Sequence, residues 1–367
     1  MPRAGAPCSG VRGVTGAGGR AGADGPVGGL LRCGARPCQP HDRGVAVAQN
    51  SNSEHDLSVL VCTWNNSRRL RLMLEALCQC EIPSGVRWEV VLVNNNCTDD
   101  TDTAAQEFAG RLPLVCVHEP EQGKSAALNT GMRHVRGRLV VHGDDDILPA
   151  TGWIAAYWRA YCARPCGWYF GGPVASEFEG EPPHPELLAL APASVRGLSY
   201  GEEELELEAG RWFIGLNWAA PAEALRRAGE YSTQLGPNPA SGGDRVGEET
   251  EMMMRLGSQG CRAWWVPEAR VRHLIPASKS CLGHIAARME SAAAAEVLSR
   301  PESARGRTLV GVPLWAYGRA LHLAARWAYS RLRGRRGYWA YLEWRRLKGA
   351  VTAHRERRVS GRSRAHG

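Results

Sequence analysis

The chain has 367 residues, 44% hydrophobic and 22% charged, with a formal charge of +8; that is a globular composition with length for at least one large core. The charge is local: residues 301–367 hold sixteen Lys/Arg against three Glu, so this segment carries +13 and the remainder −5. A basic tail on an acidic body speaks against a nucleic-acid-binding core. The twelve cysteines show no framework spacing, and the pairs Cys78/Cys80 and Cys162/Cys166 lack the second half of a zinc site. With Cys62, Cys78 and Cys116 inside apparent strands and helices, reduced thiols and a cytoplasmic compartment are expected. No apolar run reaches the roughly 18 residues of a membrane-spanning helix, and the start lacks the apolar core of a signal peptide.

Residues 1–55 are rich in Gly, Ala, Arg and Pro without periodicity, so a disordered N-terminal extension is expected. From Leu57 the pattern changes. LSVLVCT (57–63), WEVVLVN (88–94), LVCVHE (114–119) and RLVVHG (138–143) are apolar runs of strand length. Between them RRLRLMLEALCQ (68–79), DDTDTAAQEFAGRL (99–112) and KSAALNTGMRHV (124–135) read as helices. Strands alternating with helices predict βαβ units and a mostly parallel sheet flanked by helices, an α/β fold.

In such sheets ligands bind beyond the carboxyl ends of the strands. Polar clusters follow the first, second and fourth strands: TWNN (63–66), NNNCTDDT (94–101) and DDD (144–146). Each alone is an ordinary turn; together they predict a shared crevice. Three adjacent aspartates repel one another unless the turn is well solvated or a cation sits among them. Gly123-Lys124-Ser125 imitates the end of a phosphate-binding loop, but the residue five positions before Gly123 is His118, not glycine, and that reading fails. A lysine heading a helix over the crevice still offers charge to a diphosphate. Further on, Glu248, Glu249 and Glu251 open an amphipathic helix; they serve its dipole or supply the carboxylate base that activates a hydroxyl.

The order of these motifs over residues 57–285 resembles a family 2 glycosyltransferase of the GT-A fold. VLVCTWNN resembles its opening strand and turn, VVLVNNNCTDDT its nucleotide-contacting loop, GKSAALNTG the helix after strand three, and HGDDDILP its DxD motif. WFIGLNWAAPAEALRRAGEYSTQLG resembles the acceptor-side segment, and GEETEMMMRLGSQGCRAWWVPEARVRHLIP the acidic helix with the strand ending in His273. The resemblance implies an inverting, metal-dependent transfer of one sugar from a nucleotide-sugar to an acceptor hydroxyl, in cell-surface polysaccharide or glycolipid synthesis. It also implies roles. Thr63, Asn65, Asn94, Asn96, Lys124, Asp144 and Asp145 would face the donor. Asp146, with Asp144 and His273, would hold Mg2+ or Mn2+. Glu249 would be the base, with Glu248 next in line. Two departures stand out: Glu249 occupies the place of an aspartate, and Asn94 that of an aspartate which reads the donor base. The QxxRW element of processive synthases is missing, which favours single addition. A metal-dependent sugar nucleotidyltransferase and a non-catalytic glycan- or partner-binding protein with a degenerate site are the rivals.

The organisation expected is an extension (1–55), a catalytic domain (56–285) and a basic, Trp-rich helical extension (286–367). In the last, Leu314, Tyr317, Leu321, Ala324, Ala328 and Leu332 share one helical face, with Arg319, Arg326 and Arg333 on the other. Such a face either packs on the catalytic domain or docks on an anionic membrane, at the inner face of the plasma membrane. A nucleotide-sugar donor and a glycan or lipid-linked acceptor are the expected partners, and no nucleic acid.

Overall fold

The computed structural model describes residues 55–238, 240, 243–299, 308–309 and 312–364. The expected extension 1–55 therefore lies, except for His55, outside the described residues. The first half follows the predicted alternation: β1 (His55–Thr63), α1 (Ser67–Cys78), β2 (Trp88–Asn94), α2 (Thr101–Gln106), β3 (Leu114–His118), α3 (Lys124–His134) and β4 (Gly137–Asp144). These four strands lie in the order β3-β2-β1-β4, all parallel. Helices cover both faces, which is why the strands read as continuous apolar runs. In β1, Leu57, Val59 and Val61 pack with Leu70, Met73, Leu74 and Leu77 of α1. Leu60 points into the other layer, with Ala127 and Leu128 of α3. A Cβ on Gly131 would lie 2.3 Å from Leu60 Cδ1, so this glycine lets α3 approach the sheet.

Helix α2 is shorter than the run 99–112 suggests. Asp99 accepts from the Thr101 amide (3.2 Å) and hydroxyl (2.5 Å) and from the Ser67 amide (3.0 Å). Such side-chain bonds compete with a helical start. Beyond Gln106 the chain continues in turns that still bury Phe108 and Leu112.

The chain continues through β5 (Ile147–Pro149), α4 (Trp153–Ala163), β6 (Trp168–Gly171), β7 (Val174–Phe178), α5 (Pro185–Leu190), α6 (Ala193–Arg196), β8 (Leu205–Glu206), β9 (Asn217–Pro221) and α7 (Ala222–Ala228). A hairpin, β10 (Pro237–Asn238) and β11 (Gly243–Asp244), leads into α8 (Glu248–Ser258), β12 (Arg262–Trp265) and β13 (Val271–Ile275). The main sheet has eight strands, β3-β2-β1-β4-β9-β6-β12-β8, with β9 antiparallel to both β4 and β6. A second sheet orders β5-β13-β7. Asn217, wholly buried at the start of β9, joins these parts. Its Oδ1 accepts from Trp153 Nε1 and Tyr157 Oη, both at 2.8 Å. Its Nδ2 donates to the carbonyls of Pro173 (2.9 Å) and Ala269 (2.8 Å).

The C-terminal part comprises α9 (Leu282–Ser299), β14 (Thr308–Leu309), β15 (Val312–Pro313), α10 (Leu314–Leu332) and α11 (Tyr338–Arg364). Helix α9 runs across position 285, so the boundary expected there falls inside a continuous helix. Tyr338, Tyr341 and Leu342 of α11 pack with Ile285, Ala286 and Met289 of α9. Glu290 of α9 takes Arg345 (2.5 Å) and Lys348 (2.9 Å), and a Cβ on Gly349 would lie 2.0 Å from the Glu290 carbonyl oxygen. Helix α10 rests on α11 through Ala316 and Leu323 against Leu347. Its expected apolar stripe is not the packed face: Leu321 is 74% and Leu332 87% exposed.

Candidate active site

The register brings the predicted polar clusters together. Thr63 pairs with Asn94 across β1 and β2, and Cys62 with Asp144 across β1 and β4, so three strand ends lie side by side, where a parallel sheet places its ligand crevice. Lys124 stands at the head of α3, preceded by Gly123 at φ 137°. Its Nζ reaches Asp144 Oδ1 (2.7 Å), Glu249 Oε1 (2.6 Å) and Glu248 Oε1 (3.8 Å). Burial by itself lowers the lysine, but Asp144, Glu249 and Glu248 outweigh that and hold the ammonium well above its ordinary range.

The five acids divide by environment. Burial raises Asp144, with Lys124 pulling against it and Glu249 and Asp146 adding to it. Asp145 is pushed up to about 7, first by burial and then by Asp146. Both its oxygens are occupied: Thr63 Oγ1 donates at 2.6 Å and Asn66 Nδ2 at 2.7 Å. Asp145 and Thr63 thus tie the β1 and β4 turns to each other. Asp146 goes the other way: burial would raise it, but His273 and Lys279 hold it well below the usual carboxylate range. Glu248 is raised well above its ordinary value by burial and the adjacent Glu249. Burial would also raise Glu249, but Lys124 draws it down to about 2. Two neighbouring carboxyls are thereby shifted in opposite directions, Glu248 up and Glu249 down.

The predicted metal residues fall in two places. Asp144 faces Lys124 and Glu249. Asp146 faces His273 on β13, where Nε2 lies 3.4 Å from Asp146 Oδ1, and Lys279 Nζ lies 3.5 Å from Oδ2. Asp146 Oδ1 is buried without a hydrogen-bond partner, an oxygen of the kind that coordinates a cation. Among the described residues no group of three or more His, Cys, Asp or Glu converges on one point. Asp146 and His273 therefore fit Mg2+ or Mn2+ as a partial ligand set, of the kind that substrate phosphates and water complete.

The asparagines behave less as predicted. Asn94 is 6% exposed. Its Nδ2 donates to Asp102 Oδ1 (2.6 Å) and its Oδ1 accepts from the Cys97 amide (2.8 Å). Asn65 and Asn96 take positive φ, 47° and 58°, where asparagine is tolerated and most residues are strained. Asn65 Oδ1 also accepts from the Thr98 amide at 2.7 Å, bridging the first two loops. Asn65 and Asn96 thus shape the crevice rim. Asn95, passed over in the sequence, is buried and accepts from the Gly123 amide at 2.8 Å, setting the turn ahead of Lys124. Lys279 was missed as well, since it lies in a short 3-10 turn (Ala277–Lys279) outside any motif. Gly215 is a third omission: a Cβ there would sit 2.3 Å from the Glu249 carboxyl carbon.

The family model of glycosyl transferase family 2 matches residues 58–208. That segment belongs to family 2. This family 2 segment contains Thr63, Lys124 and all three aspartates, while Glu249 and His273 lie beyond it. The chain is 33% identical over 97 residues to the dolichyl-phosphate beta-glucosyltransferase ALG5A of Trichomonas vaginalis, covering 24% of this chain and 30% of the relative. It is 30% identical over 95 residues to the dodecaprenyl-phosphate galacturonate synthase of Rhizobium johnstonii, covering 25% and 28%. The chain thus spans less than a third of these curated relatives. Among solved structures, the mannosyltransferase of Pyrobaculum calidifontis in complex with GDP-mannose and Mn2+ superposes with a TM-score of 0.50 at 21% identity, over 82% of this chain and 86% of that one. The fold is GT-A-like: an α/β, mostly parallel sheet between helices.

Proposed function

We propose that the protein is an inverting, metal-dependent glycosyltransferase that moves one sugar from a nucleotide-sugar to a lipid-linked acceptor. The observation that carries this is the crevice itself. Within and beside a family 2 segment, it sets Glu249 against Lys124 on one side and Asp146, whose Oδ1 has no hydrogen bond, beside His273 on the other. The similarity to a dolichyl-phosphate glucosyltransferase and a dodecaprenyl-phosphate galacturonate synthase supports a lipid-linked acceptor.

A divalent cation held by Asp146 and His273 would bind diphosphate oxygens and stabilise the charge they gain. Lys124 and Lys279 add positive charge on either side of the aspartate turn. The acceptor oxygen forms its bond to the anomeric carbon from the face opposite the diphosphate. The bond from that carbon to the phosphate oxygen breaks, and the leaving nucleoside diphosphate keeps the electron pair. With a hydroxyl acceptor, Glu249 takes the proton; a phosphate acceptor is already an anion and needs no base.

Nucleotide-sugars scanned for cation-dependent hydrolysis without acceptor test the reading. Release of nucleoside diphosphate from at least one donor supports it. Pyrophosphate formed from a sugar phosphate and a nucleoside triphosphate would replace it with nucleotidyl transfer. With an acceptor supplied, Glu249→Gln separates the two acceptor classes: a loss of about 10²–10⁴-fold marks a hydroxyl, and near-normal turnover marks a phosphate.

A further inference from the structure

Among the described residues twelve large hydrophobic side chains are exposed, and all except Trp64 and Leu72 fall between residues 309 and 344. They centre on α10. At about 100° per residue, the face buried on α11, Ala316 and Leu323, is opposite the line of Leu314, Leu321 and Leu332. The helix is apolar on both sides, with a supporting face and an outward face of larger side chains. Tyr317 and Tyr329, also exposed, flank the outward line. Arg319, Arg326, Arg331, Arg333, Arg335 and Arg336 are exposed around and just beyond it, and no acidic residue occurs from 308 to 342. No helix among the described residues is long and apolar enough to cross a membrane.

We infer that α10 docks on an anionic lipid surface, lying in its plane with Leu314, Leu321 and Leu332 in the acyl boundary and the arginines among the headgroups. Leucines outward, tyrosines at the flanks and six arginines, of which Arg319 pairs with Glu343 of α11, match the chemistry of such a surface. A second copy of the chain fits worse, because apposed faces would set arginines against arginines in excess of that one carboxylate. The inference goes beyond the catalytic reading and does not depend on the donor.

The test is sedimentation of the full-length protein with phosphatidylcholine vesicles, with and without phosphatidylglycerol. The protein should bind the anionic vesicles, and binding should weaken as salt rises, because headgroup attraction is screened. Leu321→Glu with Leu332→Glu should reduce partitioning by about tenfold or more at an unchanged Tm, since both side chains are mostly exposed. Arg331→Ala with Arg335→Ala should cost roughly fivefold per arginine on anionic vesicles and little on neutral ones. Failure of the full-length protein to bind, or equal binding by the leucine variant, overturns the inference. A dimer in solution that the leucine variant dissolves also overturns it, and assigns the face to a second copy.

Discussion

Replacing Gly215 with alanine puts a methyl group where the Glu249 carboxylate now lies. The new Cβ would be 2.3 Å from the carboxyl carbon and 2.5 and 2.6 Å from its oxygens, against ordinary contacts of 3.4–4 Å. Gly215 does not have positive φ, so alanine strains no backbone there, and the flexible glutamate is the part that yields. Its carboxylate must withdraw by about 1 Å, a displacement that can cost roughly 10²-fold in a positioned reaction. Gly215→Ala is therefore expected to lower kcat by about that factor, with donor affinity nearly unchanged and Tm within a few degrees. The remedy is specific. Glu249→Asp shortens the side chain by one methylene and frees the space the methyl needs, so the double variant should recover most of the loss. Steady-state kinetics on both singles and the double, with the donor and a hydroxyl acceptor, measures this. A fully active Gly215→Ala, or a double variant no better than the alanine alone, would refute the idea that Gly215 makes room for the longer acid.

Asp146→Ala should give nucleotide binding that no longer responds to Mn2+ or Mg2+ in calorimetry; unchanged cation dependence would remove Asp146 from the site. Asn217→Leu should lower stability by about 4 kcal/mol or more, at ~1–3 kcal/mol for each group left without a partner, as read by denaturant unfolding; a loss under about 1 kcal/mol would contradict the network. His142 is buried beside Trp218, and its Nε2 shares a hydrogen bond with the Tyr231 hydroxyl at 2.9 Å. Burial lowers it from 6.5 to about 3. Its folded value lies below its unfolded one, so the stability it contributes is present above pH 6.5 and is lost as pH falls towards 3. The slope is about 1.4 kcal/mol per pH unit, and His142→Gln should flatten that acid limb of the unfolding profile.

The parallel half of the fold was legible because strands buried on both faces leave unbroken apolar runs, and β1 to β4 match those runs closely. The gathering of the strand ends was legible because neighbours in one sheet must end side by side; Lys124 meets Asp144 and Glu249 there, and Asp146 meets His273. What escaped depends on which of several candidate partners a side chain takes, near or remote in the chain. Asp102, eight residues on, takes the Asn94 amide where Asp99 and Asp100 stood closer in sequence. Asn217 spans contacts to Trp153, Tyr157 and Ala269 that no local pattern encodes. Periodicity put the leucines of α10 on one face, but a face has no direction until its support is known. Ala316 and Leu323 turned out to be the support, packed with Leu347 of α11.

The crossing of α9 and α11 has a consequence for how the molecule could be taken apart. At Gly349 two backbones meet with no space for one more carbon atom, and Glu290 grips Arg345 and Lys348 beside that point. The clasp is not alone: Tyr338 and Leu342 also pack beside Leu187 of α5, and Arg245 lies 3.6 Å from Glu356. A methyl group added at position 349 would therefore spread the crossing of α9 and α11 locally and leave those outer contacts to hold the helix ends.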